Sequence, residues 1–216
     1  MTTFDHVRDA ISAGIESFKA NRAIEAVKRR TYSPQNYTAL LLSLYHQTLE
    51  APSSFALAGV NCRLEHRDAS EFLMKHAEEE MLHYRWIEDD LNAVGYAGEP
   101  VSAMTPPKES LAYVSFNFYI AHRKPLARIA IAGFLEGAAA RLGPVYGPRL
   151  IESTKLSSNA FTFLSSHTIT DAGHSAEIMD ILAKLQCSPD DWRWMARAVQ
   201  TASHLYKAIY EASLDG

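Results

Sequence analysis

The sequence predicts an all-α protein, one bundle of seven to eight helices spanning residues 1–216 as a single domain. Three observations carry this. Apolar residues recur at three- and four-residue steps through most of the chain. Period-two alternation is almost absent. Prolines and glycines gather at a few points between long periodic stretches.

Residues 4–30 place Val7, Ile11, Ile15, Phe18 and Ile24 on such a stripe. Ser33-Pro34 then reads as an N-cap followed by proline at the first helical position. The apolar stretch from Tyr37 to about Leu64 forms a long second helix, which Pro52 kinks or breaks. A third helix runs from about Asp68 to Val94 and stops at Gly95. Residues 95–107, with three prolines and two glycines, form the longest loop. Helix resumes from Ser110 to about His122. Pro125 restarts it as far as Leu142, ahead of Gly143-Pro144. A short helix follows the GPVYGP loop, then a long one from about Ser157 to Leu185. Ser188-Pro189 caps the last, which ends near Ser213.

Composition sets limits on function. Hydrophobic residues make up 47% and charged residues 21%, the balance of an ordinary globular protein. A formal net charge of −4 argues against the concentrated basic surface that nucleic acids require. Cys62 and Cys187 stand far apart with no CxxC spacing, which points away from a disulfide framework or a zinc ribbon and suits a reducing cytoplasm. The opening MTTFDHVRDA lacks the basic-then-apolar pattern of a signal peptide. No apolar run approaches the roughly 18 residues of a membrane span. The expected protein is therefore cytoplasmic, with no nucleic-acid or membrane partner.

Three segments carry chemistry. In KHAEEEMLHYRW, residues 75–86, Glu80 and His83 are three apart, about 60° around a helix, so both can face one point. Glu79, four before His83, could take the place of Glu80. In HTITDAGHSAEI, His167, Asp171 and His174 lie at i, i+4 and i+7, a single stripe on which two histidines flanking a carboxylate can chelate one divalent ion. In the otherwise uncharged run RIAIAGFLEGAAAR, Glu136 is costly to bury unless paired or bound to a cation. Its alternative is an ion pair with Arg63, Arg123 or another basic group. Together the segments offer six ligands: Glu80, His83, Glu136, His167, Asp171 and His174. Two ferrous ions would meet three carboxylates and leave the centre near +1. Mixed nitrogen and oxygen donors suit iron, or manganese in its place, better than zinc.

These segments resemble the haem-oxygenase-like di-iron oxidases and oxygenases, also described as iron-containing redox enzymes, a superfamily shared with thiaminase-II and PqqC-type proteins. The likeness rests on HAEEEMLHYRWIEDDLNAVGY, on Glu136 about fifty residues on, and on His167-x-x-x-Asp171-x-x-His174 about thirty residues after that. It implies a haem-oxygenase-like bundle with two Fe(II) ions held by those six ligands at its centre. It also implies dioxygen as co-substrate, a small amino-acid-like, amine or fatty-acid substrate, and oxidative cleavage, desaturation or N-oxygenation. An external electron donor and a homodimer are compatible with it. Where some members carry a carboxylate seven residues before the first ligand histidine, this chain has His76. That histidine reads first as a satisfied core residue. The alternatives are a support behind the ligands, a substrate contact or an extra ligand. Tyr45, His46 and Tyr119 are the residues the sequence offers for a substrate pocket.

Other readings compete. A metal-free thiaminase-II-like hydrolase would use a C-terminal carboxylate such as Glu211. A haem oxygenase would need a proximal histidine in the first helix, where only His6 stands. A ferritin-like protein would repeat Glu-x-x-His. A non-catalytic metal-binding helical protein would turn over nothing.

Overall fold

The computed structural model describes residues 3–215, apart from the side chains of residues 168–172. Among the described residues there are nine α-helices and no strand. They are α1 (Phe4–Lys19), α2 (Arg22–Lys28), α3 (Pro34–Asn61), α4 (Arg67–Glu80), α5 (Tyr84–Ala93), α6 (Lys108–Arg123), α7 (Leu126–Thr154), α8 (Thr162–Lys184) and α9 (Pro189–Ala212). Short 3₁₀ turns cover Leu64–His66, Val101–Ala103, Ser158–Ala160 and Ser213–Asp215. No described helix is long and apolar enough to cross a membrane.

The all-helical expectation holds, with three changes in how the helices are cut. The first predicted helix divides at Ala20. The buried Asn21 caps α2 by accepting the Ile24 N–H at 2.8 Å, and its own amide donates to the Phe18 carbonyl at 2.9 Å. The third divides after Glu80, where Met81, His83, Arg85 and Trp86 each donate a backbone bond three residues back, in place of regular α-helical bonding. Two predicted helices, by contrast, fuse into α7. Pro144 and Pro148 lie inside it and face solvent, where water can take the carbonyls they leave free. Its far end is tied down by Ser153, which accepts the Tyr32 N–H and donates to the Tyr32 carbonyl. Pro52 likewise sits inside an unbroken α3. Gly95, at φ +75°, takes the left-handed position that ends α5.

The core forms around α7, which packs on α1, α2, α8 and α9. Small residues on α7 set the distances. A Cβ on Gly133 would stand 3.1 Å from both Ile11 Cδ1 and Ile178 Cγ2, so α1 and α8 approach the α7 backbone itself. The first turn of α8 is anchored from outside. Asp90 of α5 accepts the backbone N–H of Thr162 at 2.7 Å and of Phe163 at 3.0 Å. A carboxylate at a helix N-terminus satisfies otherwise orphaned donors and complements the helix dipole.

Candidate metal centre and cavity

Three parts of the fold converge on one place. α4 and the turn after it supply His76, Glu80 and His83; α8 supplies His167 and His174; α7 supplies Glu136. The ligand-capable atoms of Glu80, His83 and His167 lie within 4.8 Å of one another, and so do those of His76, Glu136 and His174. Each group holds one carboxylate and two imidazoles.

In the first group, His83 Nδ1 is 2.9 Å from Glu80 Oε2. The His83 ring stacks on Trp86 with centroids 4.1 Å apart and meets the edge of His167 at 5.0 Å. His167 Nδ1 lies 2.8 Å from the Phe163 carbonyl. That oxygen can only accept, so the proton sits on Nδ1 and the Nε2 lone pair is left for a cation. Burial pushes the His167 imidazole below its ordinary pKa despite the nearby Glu80, which favours the neutral ligand form. Burial also opposes the charge on Glu80, yet His83, His167 and His76 together hold its carboxyl below the usual value.

In the second group, His76 Nε2 is 2.9 Å from Glu136 Oε1. The His76 ring lies between Phe55 and Phe72, at 4.4 and 5.5 Å. His174 Nδ1 stands 3.2 Å from Glu136 Oε2. Neither of these two atoms has an aligned hydrogen bond, although both are buried. Glu136 raises the His174 imidazole to about 9. Burial disfavours the Glu136 carboxylate, but His174 and His76 outweigh it and bring the carboxyl below its ordinary range. A cation bound between these two buried, facing atoms would displace the proton that Glu136 draws onto the imidazole, and the nitrogen and oxygen donor set fits iron.

Of the six predicted ligands, Glu80, His83, Glu136, His167 and His174 come together here. The Asp171 side chain lies outside the described residues. The geometry changes four expectations. Glu80 and His83 do not share a regular helical face, because the helix ends between them and a tight turn brings them together. His167 and His174 fall in different groups, as seven residues of α-helix rise about 10 Å. Glu136 finds His76 and His174 in place of Arg63 or Arg123. His76, read first as a core histidine, is a full member of the second group. Glu79 stands behind it, Oε2 3.6 Å from His174 Nε2 and 3.9 Å from His76 Nδ1, with Lys75 Nζ at 3.4 Å from Oε1.

One signal could have found His76. The spacing His76-x-x-x-Glu80-x-x-His83 is repeated as His167-x-x-x-Asp171-x-x-His174. The two segments run in opposite senses, so that His76 faces His174 and His83 faces His167.

Both groups open on a cavity of about 480 Å³, whose wall includes His76, Glu80, Glu136 and His167. The rest of the wall is mostly apolar, from α2, α3, α7 and α9, with Gln47, Thr48 and Arg128 among its polar members. The predicted pocket residues are not on it. Tyr45 Oη donates to Glu88 at 3.3 Å on the α5 side. His46 is buried off the cavity, and Tyr119 is 52% exposed on α6. Helical periodicity instead turns Gln47, Thr48, Ala51 and Phe55 of α3 inward. Glu211 accepts the Arg22 N–H at 3.0 Å, away from the cavity. His6 closes the capping box of α1 at the surface. Neither cysteine lines the cavity.

Comparison with known proteins agrees with this architecture. A Shewanella denitrificans protein described as a domain of unknown function with a haem-oxygenase-like fold superposes with a TM-score of 0.87 at 18% identity, covering 96% of this chain and 90% of that one. A TenA homologue from Pseudomonas syringae gives 0.79 at 16% identity, covering 98% and 92%. Haem oxygenase from Leptospira interrogans gives 0.73 at 13%, covering 98% and 100%. At these identities the likeness establishes a haem-oxygenase-like fold. No curated protein matches in sequence. A family model described as iron-containing redox enzyme matches residues 38–207, a span that includes every residue of both histidine–carboxylate groups. The chain therefore belongs to the iron-containing redox enzyme family.

Proposed function

We propose that the protein is a non-haem di-iron oxidase or oxygenase that uses dioxygen to oxidise a small organic substrate held in the apolar cavity. The observation that carries this reading is the pair of adjacent groups, each with two histidines and one carboxylate, at one end of that cavity. Glu80, His83 and His167 would hold one iron, and His76, Glu136 and His174 the other. Asp171 matches Glu80 in the repeated spacing and completes the set. Bound ferrous ions would supply the electrons and open coordination positions that dioxygen activation needs. The protein's part is to hold the ligands in the correct tautomer, to orient the substrate and to keep water away. Phe163 does the first for His167, and the apolar wall does the last.

The hydrolase reading of the same fold lacks support from these side chains. Cys62, Cys187 and Glu211 all lie off the cavity, so neither a cysteine nor the expected C-terminal carboxylate stands beside Glu136. The deciding experiment is anaerobic loading with ferrous iron, followed by oxygen exposure with candidate acids and amines. Two irons per chain and substrate-dependent oxygen uptake are expected. Equal turnover by metal-free protein would overturn the proposal.

A further inference from the structure

Glu79 of α4 stands on the side of both second-group rings that faces away from Glu136. His76 presents Nε2 to Glu136 Oε1 at 2.9 Å and Nδ1 to Glu79 Oε2 at 3.9 Å. His174 uses its nitrogens the other way round, with Nδ1 3.2 Å from Glu136 Oε2 and Nε2 3.6 Å from the same Glu79 oxygen. One oxygen thus meets the far nitrogen of both imidazoles. The other, Oε1, lies 3.4 Å from Lys75 Nζ, which is also 3.4 Å from Glu177 Oε1 of α8. The lysine therefore takes one oxygen of Glu79 and leaves the second to the rings.

This division answers a chemical need. A histidine ligates through a ring nitrogen that carries no proton, so its proton must sit on the other one. In the first group the Phe163 carbonyl settles this for His167. In the second group the two rings need opposite tautomers, with Nε2 free on His76 and Nδ1 free on His174. A carboxylate oxygen has two lone pairs, so a single side chain can receive both remaining N–H groups. At 3.6 and 3.9 Å neither bond is formed. A shift of about 1 Å or less closes both, and contacts of this kind tighten when a ligand is seated. A carboxylate behind an imidazole also raises the basicity of the nitrogen in front of it.

We propose that Glu79 is a positioning residue for the His76–Glu136–His174 group, the shared acceptor that fixes the tautomer of both histidines and strengthens them as ligands without touching the ion. The proposal rests on the di-iron reading and adds to it a residue that acts on one of the two groups alone. The competing role is a surface ion pair with Lys75, which contributes little to stability and nothing to ion binding.

The test is calorimetric titration with manganese under argon, with thermal unfolding alongside. Wild-type protein should take two ions. Glu79→Ala should hold one of them ten- to a hundredfold more weakly, the usual loss when an outer carboxylate is removed. Glu79→Gln should recover part of that loss, because its amide oxygen still accepts while the charge is gone. In a His167→Ala background, where the second group alone is intact, adding Glu79→Ala should weaken the remaining ion by the full factor. In a His76→Ala background the same addition should change nothing. Should Glu79→Ala and Lys75→Met lose the same small stability and leave manganese affinity as it was, Glu79 serves only the surface pair and the proposal is overturned. Equal weakening of both ions overturns it too. These two results leave the di-iron reading standing, whereas wild-type protein that takes no manganese or ferrous ion removes that reading and this role with it.

Discussion

The Asp90 carboxylate accepts the Phe163 N–H at 3.0 Å, so a residue of α5 fixes the first turn of the helix that presents His167 and His174. The same oxygen lies 3.4 Å from Tyr37 Oη, and the other accepts from Thr162. Removing this carboxylate leaves two N–H groups at the helix start unsatisfied. Asp90→Ala should cost about 2 kcal/mol or more in urea unfolding. It should also lower the iron bound at a fixed iron concentration, although Asp90 is not a ligand. Wild-type stability with wild-type iron content would show that α8 is set by packing alone.

The division of the histidines into two groups predicts a stoichiometry. His167→Ala damages only the Glu80–His83–His167 group, and His76→Ala only the His76–Glu136–His174 group. Each variant should retain about one iron per chain where the parent takes two. Metal analysis after anaerobic loading and desalting reads this directly. A His76→Ala protein with undiminished iron would return His76 to the role of a packed core residue.

The cysteines give a prediction about pH. Burial raises the Cys62 thiol to about 11 and the Cys187 thiol to about 12, the latter helped by Asp191. The neutral thiol is unreactive, and a raised pKa delays the thiolate to higher pH. Alkylation of native protein by iodoacetamide should therefore stay slow through pH 9, where an ordinary thiol would already react fast. Catalysis should survive the Cys62→Ala/Cys187→Ala double substitution. Rapid alkylation near pH 8 with loss of turnover would revive a cysteine-based mechanism.

Two helical glycines, one in α7 and one in α8, should respond with opposite signs. At Gly133 an added methyl meets Ile11 and Ile178 at 3.1 Å, side chains from two other helices that would both have to give way. Gly133→Ala should lose about 1–3 kcal/mol. At Gly173 of α8, where no proline follows within the helix, an added methyl meets nothing within 4 Å. Gly173→Ala should gain roughly 0.5–1 kcal/mol from helix propensity alone. Thermal unfolding of the two variants side by side checks the contrast.

The helical class was readable because apolar periodicity is a local property, and the caps at Ser33-Pro34 and Ser188-Pro189 were readable for the same reason. The break after Glu80 was not, since Met81, Leu82 and His83 contain no glycine or proline to mark it. Nor was the passage of α7 through Pro144 and Pro148, since prolines in a Gly-Pro-rich stretch read locally as a loop. Five of the six expected ligands were legible because histidines and carboxylates cluster at short local spacings, whereas their sorting into two groups depends on how α4, α7 and α8 pack. The pocket wall eluded the sequence because it is assembled from residues on many helices, and Tyr45, His46 and Tyr119 were plausible only one helix at a time.

The placement of Arg128 and Glu136 on one uninterrupted stretch of α7 has a geometric consequence. Eight residues of helix are a stiff rod of about 12 Å. One rigid element therefore carries both the buried Arg128 guanidinium and the Glu136 carboxylate at a fixed spacing on the cavity wall, so any shift or bend of α7 moves the two charges together.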